Sequence, residues 1–366
     1  MPRLITVLAA SCAALSLIPL ASAQQAPPPA QAPVSAPAAA PATPTAAPQL
    51  PPAKPYVPTV TRAQPNLPRT SFGQPSLEGV WTSNFIMPLE SSPQAPMLVL
   101  PEGPAKAMAD TIANIIAAQL DRQLDPEVPA LIKTTDGLGI VLGERRTRMI
   151  VEPADGKIPY TPAGKTEAAR GQGMGAFDNP EDRPNWERCV ASMGRAPVGG
   201  VGETNPRMII QTPTQVVIFT EYGSEARIIP FTDKHKPKMF WGLLGDSIAH
   251  WEGNTLVIET VGLPEKDRVR LFPSYVVSGE ATVIEKYTRL TPNELLYQFT
   301  VIDPKVYAQA WLGEFSIYKS DGRLYEHACH EGNYSVPNIL RAARVAEERA
   351  ELKKVAAKPS ATPKPQ

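Results

Sequence analysis

This 366-residue sequence lacks an excess of charge of either sign, because 36 lysines and arginines balance 36 aspartates and glutamates. A balanced chain has no net electrostatic attraction to nucleic acid or to an anionic membrane surface. We therefore expect no nucleic-acid partner. Histidine and cysteine are also scarce, with four and three copies, which limits the places where acid–base, thiol or metal chemistry can reside.

Two common functional motifs are absent as well. The chain has no Gly-x-Ser-x-Gly turn, which presents the nucleophile of many serine hydrolases. The glycine-rich run Gly171–Gly175 superficially resembles a dinucleotide-binding loop, but no strand and helix flank it as such a site requires. The sequence therefore predicts neither a serine hydrolase of that class nor a bound cofactor.

A short apolar run occurs at the N-terminus, where Leu4 to Leu20 follow Arg3 and precede Ala21-Ser22-Ala23. A basic residue, a short apolar core and a small-x-small site are typical of a secretory signal peptide. A transmembrane anchor would need about 20 apolar residues. We predict that residues 1–23 are a signal peptide and that the mature protein is periplasmic or secreted, without a membrane span.

Proline, alanine, glutamine and threonine dominate residues 24–70. Proline can neither continue a helix nor donate to a β-ladder, and the segment has too little bulky apolar surface to offset the entropy of ordering. We predict a disordered linker here and a disordered tail over 353–366, which has a similar composition. The remaining residues, 71–352, are long enough for a single domain with its own core.

Short β-rich runs separated by turn residues fill the chain after Thr147. In the run Glu294–Ile302, Tyr297, Phe299 and Val301 fall on one face of a strand and polar residues mostly on the other. Consecutive runs of this kind predict a mainly β protein, an antiparallel meander closed or nearly closed into a barrel or sandwich.

Two helices accompany the predicted strands. The internal helix Ala105–Gln123 has apolar residues at helical spacing, and Pro104 suits its first turn. The second helix, Pro337–Lys353, carries one broad apolar face near the end of the chain. We predict one internal and one C-terminal helix.

Several blocks between Leu77 and Glu347 occur in a characteristic order. They are Asp178–Pro184, Glu187-Arg188-Cys189, Ile210–Pro213, Ala226–Pro230, Gly245-Asp246-Ser247, Trp251–Val257, Asp303-Pro304 and Cys329–Tyr334. In this order the blocks resemble a family of secreted bacterial proteins of unsettled function. The resemblance implies an exported, lipocalin-like β-barrel. The chain departs from the family pattern at His250, Asn254 and Ala310, where the pattern has Arg, Asp and Pro.

The run Tyr325–Tyr334 has the highest density of reactive side chains in the sequence. We expect a strand over Arg323–Cys329, on which His327 with Cys329 or His330 could bind zinc or copper. The alternative use of Cys329 is a disulfide to Cys189, because these two cysteines remain after the signal peptide is removed and export exposes them to oxidising conditions. We predict the disulfide and no metal site.

General acid–base catalysis requires a proton carrier and a group that orients it. His330 beside Glu331, and His250 near Asp246, are the candidate pairs in this sequence. Another possibility is structural, since Glu331 with Asn333 and Arg344 could fix the last helix to the β domain through charge-assisted hydrogen bonds. His235 lies in a polar loop and is expected to be solvated.

Aromatic residues of the β region could line a cavity for an apolar ligand, or they could simply form the core. We predict a ligand-binding set that combines aromatic side chains with polar ones. Its members are Trp241, Trp251, Arg227, Tyr297, Trp311, His327, Asn333 and Tyr334.

Three function classes follow from these observations. The leading hypothesis is an exported β-barrel that binds a hydrophobic or aromatic small molecule. The alternative is a lyase or isomerase that uses the histidine and carboxylate candidates on the same barrel. A third possibility is a structural or assembly factor of the cell envelope, which would bind a protein partner through the proline-rich linker.

Overall fold

The computed structural model describes residues 66–83, 87–120, 137–170, 177–183, 187–190, 194–198, 206–265, 267–269 and 275–356. All of them belong to one compact unit. The predicted signal peptide, residues 24–65 of the predicted linker and residues 357–366 of the tail lie outside the described residues, as does any partner site on the linker. Residues 66–70, predicted as linker, lie within the described part, where the backbone of Thr70 bonds to that of Gln74.

The described residues form fifteen strands and three α-helices. The helices are α1 (Glu102–Leu120), α2 (Pro162–Arg170) and α3 (Ser335–Ala356). The strands are β1 (Gly79–Thr82), β2 (Val99–Leu100), β3 (Ile140–Val141), β4 (Glu144–Arg146), β5 (Ile150–Glu152), β6 (Arg207–Gln211), β7 (Gln215–Thr220), β8 (Glu225–Pro230), β9 (Asp246–Glu252), β10 (Thr255–Val261), β11 (Asp267–Val269), β12 (Tyr275–Val277), β13 (Thr282–Thr291), β14 (Glu294–Ile302) and β15 (Trp311–Ser320).

One large antiparallel sheet dominates the fold, which confirms the prediction of a mainly β protein. Its strand order is β8-β7-β6-β1-β15-β14-β13-β10-β9, and β5 pairs with β15 beside this path. Strands β6 to β8 form one meander, and β9, β10 and β13 to β15 form another. The ladder between β1 and β15, with Trp81 opposite Lys319, joins the two meanders.

The two edge strands of this sheet, β8 and β9, come together at one point. Phe231, directly after β8, forms an isolated parallel bridge with Ala249 of β9. Among the described residues no hydrogen-bonded ladder joins these two edges, so the sheet is not closed into a barrel. We call the region where the edges meet the seam.

Alternation along the strands places large aromatic side chains on the inner face of the sheet. Tyr297 packs against Tyr287 and Phe315 with ring centroids 4.8 and 5.0 Å apart, and Phe299 meets Trp311 edge to face at 5.7 Å. All five side chains are almost fully buried. Such pairs are each worth about 0.5–1.5 kcal/mol beyond the area they bury, so they make a large contribution to the core.

The helices differ from the sequence-based expectation in number. The prediction of a single internal helix is wrong, because α2 is a second one. Thr161 precedes Pro162 and its hydroxyl accepts a hydrogen bond from the amide of Gly164 at 3.0 Å, the arrangement of a helix N-cap followed by proline in the first turn. Gly164 inside so short a helix weakens its sequence signal. No helix in the described ranges is long and apolar enough to cross a membrane.

The predicted strand Arg323–Cys329 is also wrong. Residues 321–329 adopt no regular secondary structure. Strand β15 cannot form a hairpin with them, because β1 and β14 already occupy its two edges. The chain instead passes the turn between β7 and β8, where Glu221 and Ser224 accept hydrogen bonds from its backbone.

Candidate functional site

The reactive run Tyr325–Tyr334 lies on the outside of the sheet. The amide of Tyr325 donates to a carboxylate oxygen of Glu221 at 2.7 Å, and the amide of His327 donates to the hydroxyl of Ser224 at 3.0 Å. The His327 ring packs on Tyr222 with centroids 4.1 Å apart. These contacts hold an irregular segment against a β-turn, and they give His327 a packing role.

The predicted disulfide between Cys189 and Cys329 is confirmed, with Cα atoms 5.7 Å apart. A disulfide is compatible with an exported protein. It also removes Cys329 as a thiolate ligand, which ends the alternative of a metal site built on that residue. Within the described ranges, no three His, Cys, Asp or Glu side chains are arranged to hold a metal ion.

His330 and Glu331 are exposed on this segment. Their neighbours fit the structural alternative. The amide of Asn333 donates to the carbonyl of Glu187 at 3.0 Å, and Arg344 of α3 donates to the carbonyl of Phe177 at 3.0 Å. Asn333 and Arg344 therefore connect α3 to the segment that carries Cys189. Tyr334, at 72% exposure, projects from the surface.

His250, the other catalytic candidate, lies on β9 far from His330. Its side chain is 60% exposed and stands 3.4 Å from Glu252, which also pairs with Lys286 at 2.9 Å. The bridge to Phe231 places β9 beside the end of β8, whereas the segment with His330 lies beside its start. At about 3.3 Å per residue, the length of β8 separates the two histidines by roughly 20 Å, so the structure does not bring them together.

Asp246 is paired with His235 rather than with His250. One ring nitrogen of His235 lies 2.9 Å from buried Asp246, and the other lies 3.1 Å from Glu259 of β10. The amide of Lys236 also donates to Asp246 at 3.0 Å. The expectation that His235 is simply solvated is wrong, because its side chain is only 20% exposed and both nitrogens face carboxylates. Both nitrogens can donate at once only when the ring is protonated.

Glu259 also lines a cleft of about 540 Å³ at the seam. We call this the seam cleft. Its walls come from both edges of the sheet and from the loops beside them. The lining residues are Gln74, Pro213, Phe231, Thr232, Asp233, Ile248, Ala249, His250, Trp251 and Glu259. Phe231 and Trp251 lie side by side in it, with ring centroids 6.5 Å apart.

A second depression, of about 610 Å³, follows one face of α3. Its described lining residues, such as Val345 and Arg349, all belong to that helix. No other described element faces them across the depression, so it lacks the convergent polar groups of a ligand site.

Arg227 is the predicted ligand residue with the most extensive contacts. Its guanidinium lies 2.6 Å from Glu285 and donates to Ser247 and Thr260 at 3.2 and 3.0 Å. The Tyr297 hydroxyl donates to the same carboxylate at 2.8 Å. Burial alone would lower the pKa of Arg227, but the charge and hydrogen bonds of Glu285 outweigh burial and raise it. We call this set of inward-facing residues the interior polar cluster.

The eight predicted ligand residues are thus distributed over several places. Arg227 and Tyr297 meet in the interior polar cluster, Trp311 belongs to the aromatic core, and Trp251 lines the seam cleft. Trp241 lies elsewhere, over Gly262, and donates its indole N–H to the carbonyl of Lys236 at 2.8 Å. His327, Asn333 and Tyr334 lie on the segment beside the β7–β8 turn.

Sequence reasoning missed His235, Glu259 and Glu285. Glu285 had a usable signal, because it lies between Val283 and Tyr287 on the inward-facing positions of β13. His235 and Glu259 had none, since a loop residue and a strand residue 24 positions apart meet only in the folded chain.

Comparison with known proteins leaves the family open. No protein-family model matches the chain, and no curated protein is significantly similar to it. The resemblance to secreted bacterial proteins of unsettled function therefore stays a prediction that depends on the sequence blocks alone.

Proposed function

We propose that this is an exported, lipocalin-like small-molecule-binding protein whose ligand occupies the seam cleft. The observation that carries the proposal is the position of the cleft. It lies where the sheet edges β8 and β9 meet at a single bridge, and it has Phe231 and Trp251 side by side in its wall.

The lining of the seam cleft favours an aromatic or hydrophobic ligand with one polar group. Ligand sites are commonly concave, about 300–1,000 Å³ in volume, and mostly apolar with a few polar groups that orient the ligand. Phe231, Trp251 and Ile248 supply apolar surface, and His250 and Glu259 supply the polar groups. With two carboxylates in the wall, Asp233 and Glu259, the cleft favours a hydrogen-bond donor or a cation over an anion.

Titration with the uncharged fluorescent probe N-phenyl-1-naphthylamine tests the proposal. We expect saturable binding to the wild-type protein and a loss of affinity of roughly fivefold in Trp251→Leu, because aromatic contacts of this kind are worth about 1 kcal/mol beyond area burial. Trp241→Leu is the matched control, since Trp241 lies outside the cleft. Absence of saturable binding, or equal loss in both variants, would contradict the proposal.

A second candidate function is acid–base catalysis on the same cleft. The specific observation is the chain of hydrogen-bonding groups from Asp246 through His235 to Glu259, which ends in the cleft wall. Glu259 would exchange a proton with a bound substrate, and His235 and Asp246 would orient it. This is the chemistry of a lyase or isomerase, with His235 in place of His250 and His330.

Substitution on a verified substrate distinguishes this candidate from binding alone. Glu259→Gln is expected to lower turnover by about 10²–10⁴-fold, the usual contribution of a general acid–base group. His235→Gln should lower turnover by a smaller factor, because His235 orients Glu259 and does not itself contact the substrate. His330→Gln, exposed and outside the cleft, is the control and should retain turnover within a few-fold. If Glu259→Gln and His235→Gln both keep the wild-type rate, the chain of groups from Asp246 through His235 to Glu259 has no part in catalysis.

A further inference from the structure

Arg207 occupies an unusual position at the start of β6. It faces inward together with Ile209 and Gln211, and its side chain is fully buried. Its cross-strand neighbours are Thr220 of β7 and Trp81 of β1. A guanidinium therefore lies in the interior of the sheet, at a place where directly opposed residues have Cβ atoms about 4.5–5.5 Å apart.

The guanidinium of Arg207 forms no ion pair among the described residues, and none of its three nitrogens makes a hydrogen bond of ordinary geometry there. The group that interacts with it most directly is the Tyr287 hydroxyl, which carries no charge. The buried hydroxyl of Thr220 likewise has no partner in the described part of the chain. Arginine is always a donor and never an acceptor, so the unmet requirement at this position is for acceptor atoms.

Glu285, the carboxylate of the interior polar cluster, does not meet this requirement. Burial raises the pKa of Tyr287, with a further contribution from the charge of Glu285, whereas the charges of Arg207 and Arg227 and hydrogen bonding with Arg207 oppose the rise. Tyr287 thus lies between Arg207 and the interior polar cluster. Glu285, however, is already bonded to Arg227 by both oxygens and to Tyr297. Glu285 therefore has no carboxylate oxygen left to pair with Arg207 among its described contacts.

Leaving a cation buried without a counter-charge costs several kcal/mol, whereas an anion placed against it recovers that energy. The planar guanidinium fork matches two oxygens of a carboxylate, sulfate or phosphate. We propose that the sheet interior binds a small oxyanion, or the oxyanion group of a larger ligand, against Arg207 and Thr220. The site shares no residue with the seam cleft, so the proposal stands independently of the function proposed above.

Thermal unfolding in different anions tests the site. The full chain without its signal peptide is heated in sodium chloride, acetate, sulfate and phosphate at matched ionic strength. We expect at least one oxyanion to raise the Tm of the wild type above its value in chloride, by roughly 3 °C at about ten times the dissociation constant. Sulfate and phosphate also stabilise proteins in general, so Arg207→Met should keep only that general difference between anions and lose the rest, and Thr220→Val should lose part of the rest.

Arg289→Met is the matched control, because Arg289 is also buried but donates to the backbone carbonyls of Ser76, Thr291 and Pro292. Arg289→Met should retain the rise in Tm that the oxyanion causes in the wild type. Arg207→Lys keeps the charge and loses the planar fork, so it should bind the effective oxyanion at least several-fold more weakly. This variant replaces Arg207→Met in the test if Arg207→Met does not fold. An equal Tm of the wild type in all four anions, or the same oxyanion effect in Arg207→Met, would overturn the proposal.

Discussion

Arg227 and Glu285 form an ion pair inside the sheet, with both side chains almost completely removed from solvent. Taking two charges out of water is expensive, and their attraction compensates only when further hydrogen bonds complete their coordination. Here Ser247 and Thr260 accept from Arg227, and Tyr297 donates to Glu285. The pair is therefore stable as a unit and vulnerable when either partner is removed.

We predict that Arg227→Met and Glu285→Gln each lower the free energy of unfolding by about 3–5 kcal/mol, because each leaves one buried polar partner without its counterpart. The double substitution should cost clearly less than the sum of the two. Denaturant unfolding of the four proteins in a double-mutant cycle measures this. Additive losses would show that the two residues do not depend on each other.

The pairing of buried charged residues is the feature of the site that the sequence predicts least well. Arg227 was predicted as a ligand-binding residue, but its partner Glu285 lies 58 positions away and comes to it through the strand order. His235 is similar, since its two carboxylates come from β9 and β10. Side-chain alternation indicates which face is inward, but it does not indicate which inward polar groups will meet.

At the scale of secondary-structure elements, the hairpins are predicted well from the sequence. The β6–β7, β9–β10 and β13–β14 hairpins follow directly from local alternation and turn residues, such as Gly253 between β9 and β10, where φ is +61°. Local signals are sufficient there because both partners of each ladder are adjacent in sequence. The segment 321–329 lacks such local partners. It was predicted wrongly because its neighbours are the distant β7–β8 turn and Cys189, which no local pattern shows.

The disulfide is the covalent part of this long-range attachment. It closes a loop of 140 residues, for which chain-entropy models give a contribution of about 5 kcal/mol to stability, with less where the reduced state keeps structure. We predict that Cys189→Ser/Cys329→Ser lowers stability by a few kcal/mol.

The same double variant should show faster amide exchange over 321–334 and α3, while the β13–β14 hairpin stays protected. Hydrogen-exchange mass spectrometry compares these regions directly. Cleavage after Ala23, as predicted from the sequence, would also remove Cys12 and leave no third thiol that could substitute. Uniform loss of protection across the whole sheet would mean that the disulfide supports the core and not only the segment.

At the scale of the whole molecule, the interior of the sheet is rich in buried phenols. Burial raises the pKa values of Tyr275, Tyr287, Tyr297 and Tyr307 above the ordinary value of 10.0. In the unfolded chain these hydroxyls ionise near pH 10, whereas in the folded protein they keep their protons. Their contribution to stability is therefore complete below pH 10 and is lost at higher pH.

We predict that stability falls above pH 10 by up to about 1.4 kcal/mol per pH unit for each buried tyrosine. Arg195 acts in the opposite direction, because burial lowers its pKa to about 10. Burial also lowers the pKa of Arg148 and Arg289, so three arginines oppose the four tyrosines. Tyrosinate absorbance near 295 nm should show these four phenols titrating only as the protein unfolds. Titration of all ten tyrosines with the fold intact would contradict the prediction.

The ladder between β1 and β15 also determines when the sheet can become continuous. These strands stand in the middle of the sheet, yet they lie at opposite ends of the folded chain. During synthesis the β6–β8 meander and the strands β9 to β14 can pair early, but β1 can join the two parts only after β15 has emerged. Forming contacts over so long a sequence separation is slow, so the two half-sheets present unpaired edges until β15 is in place.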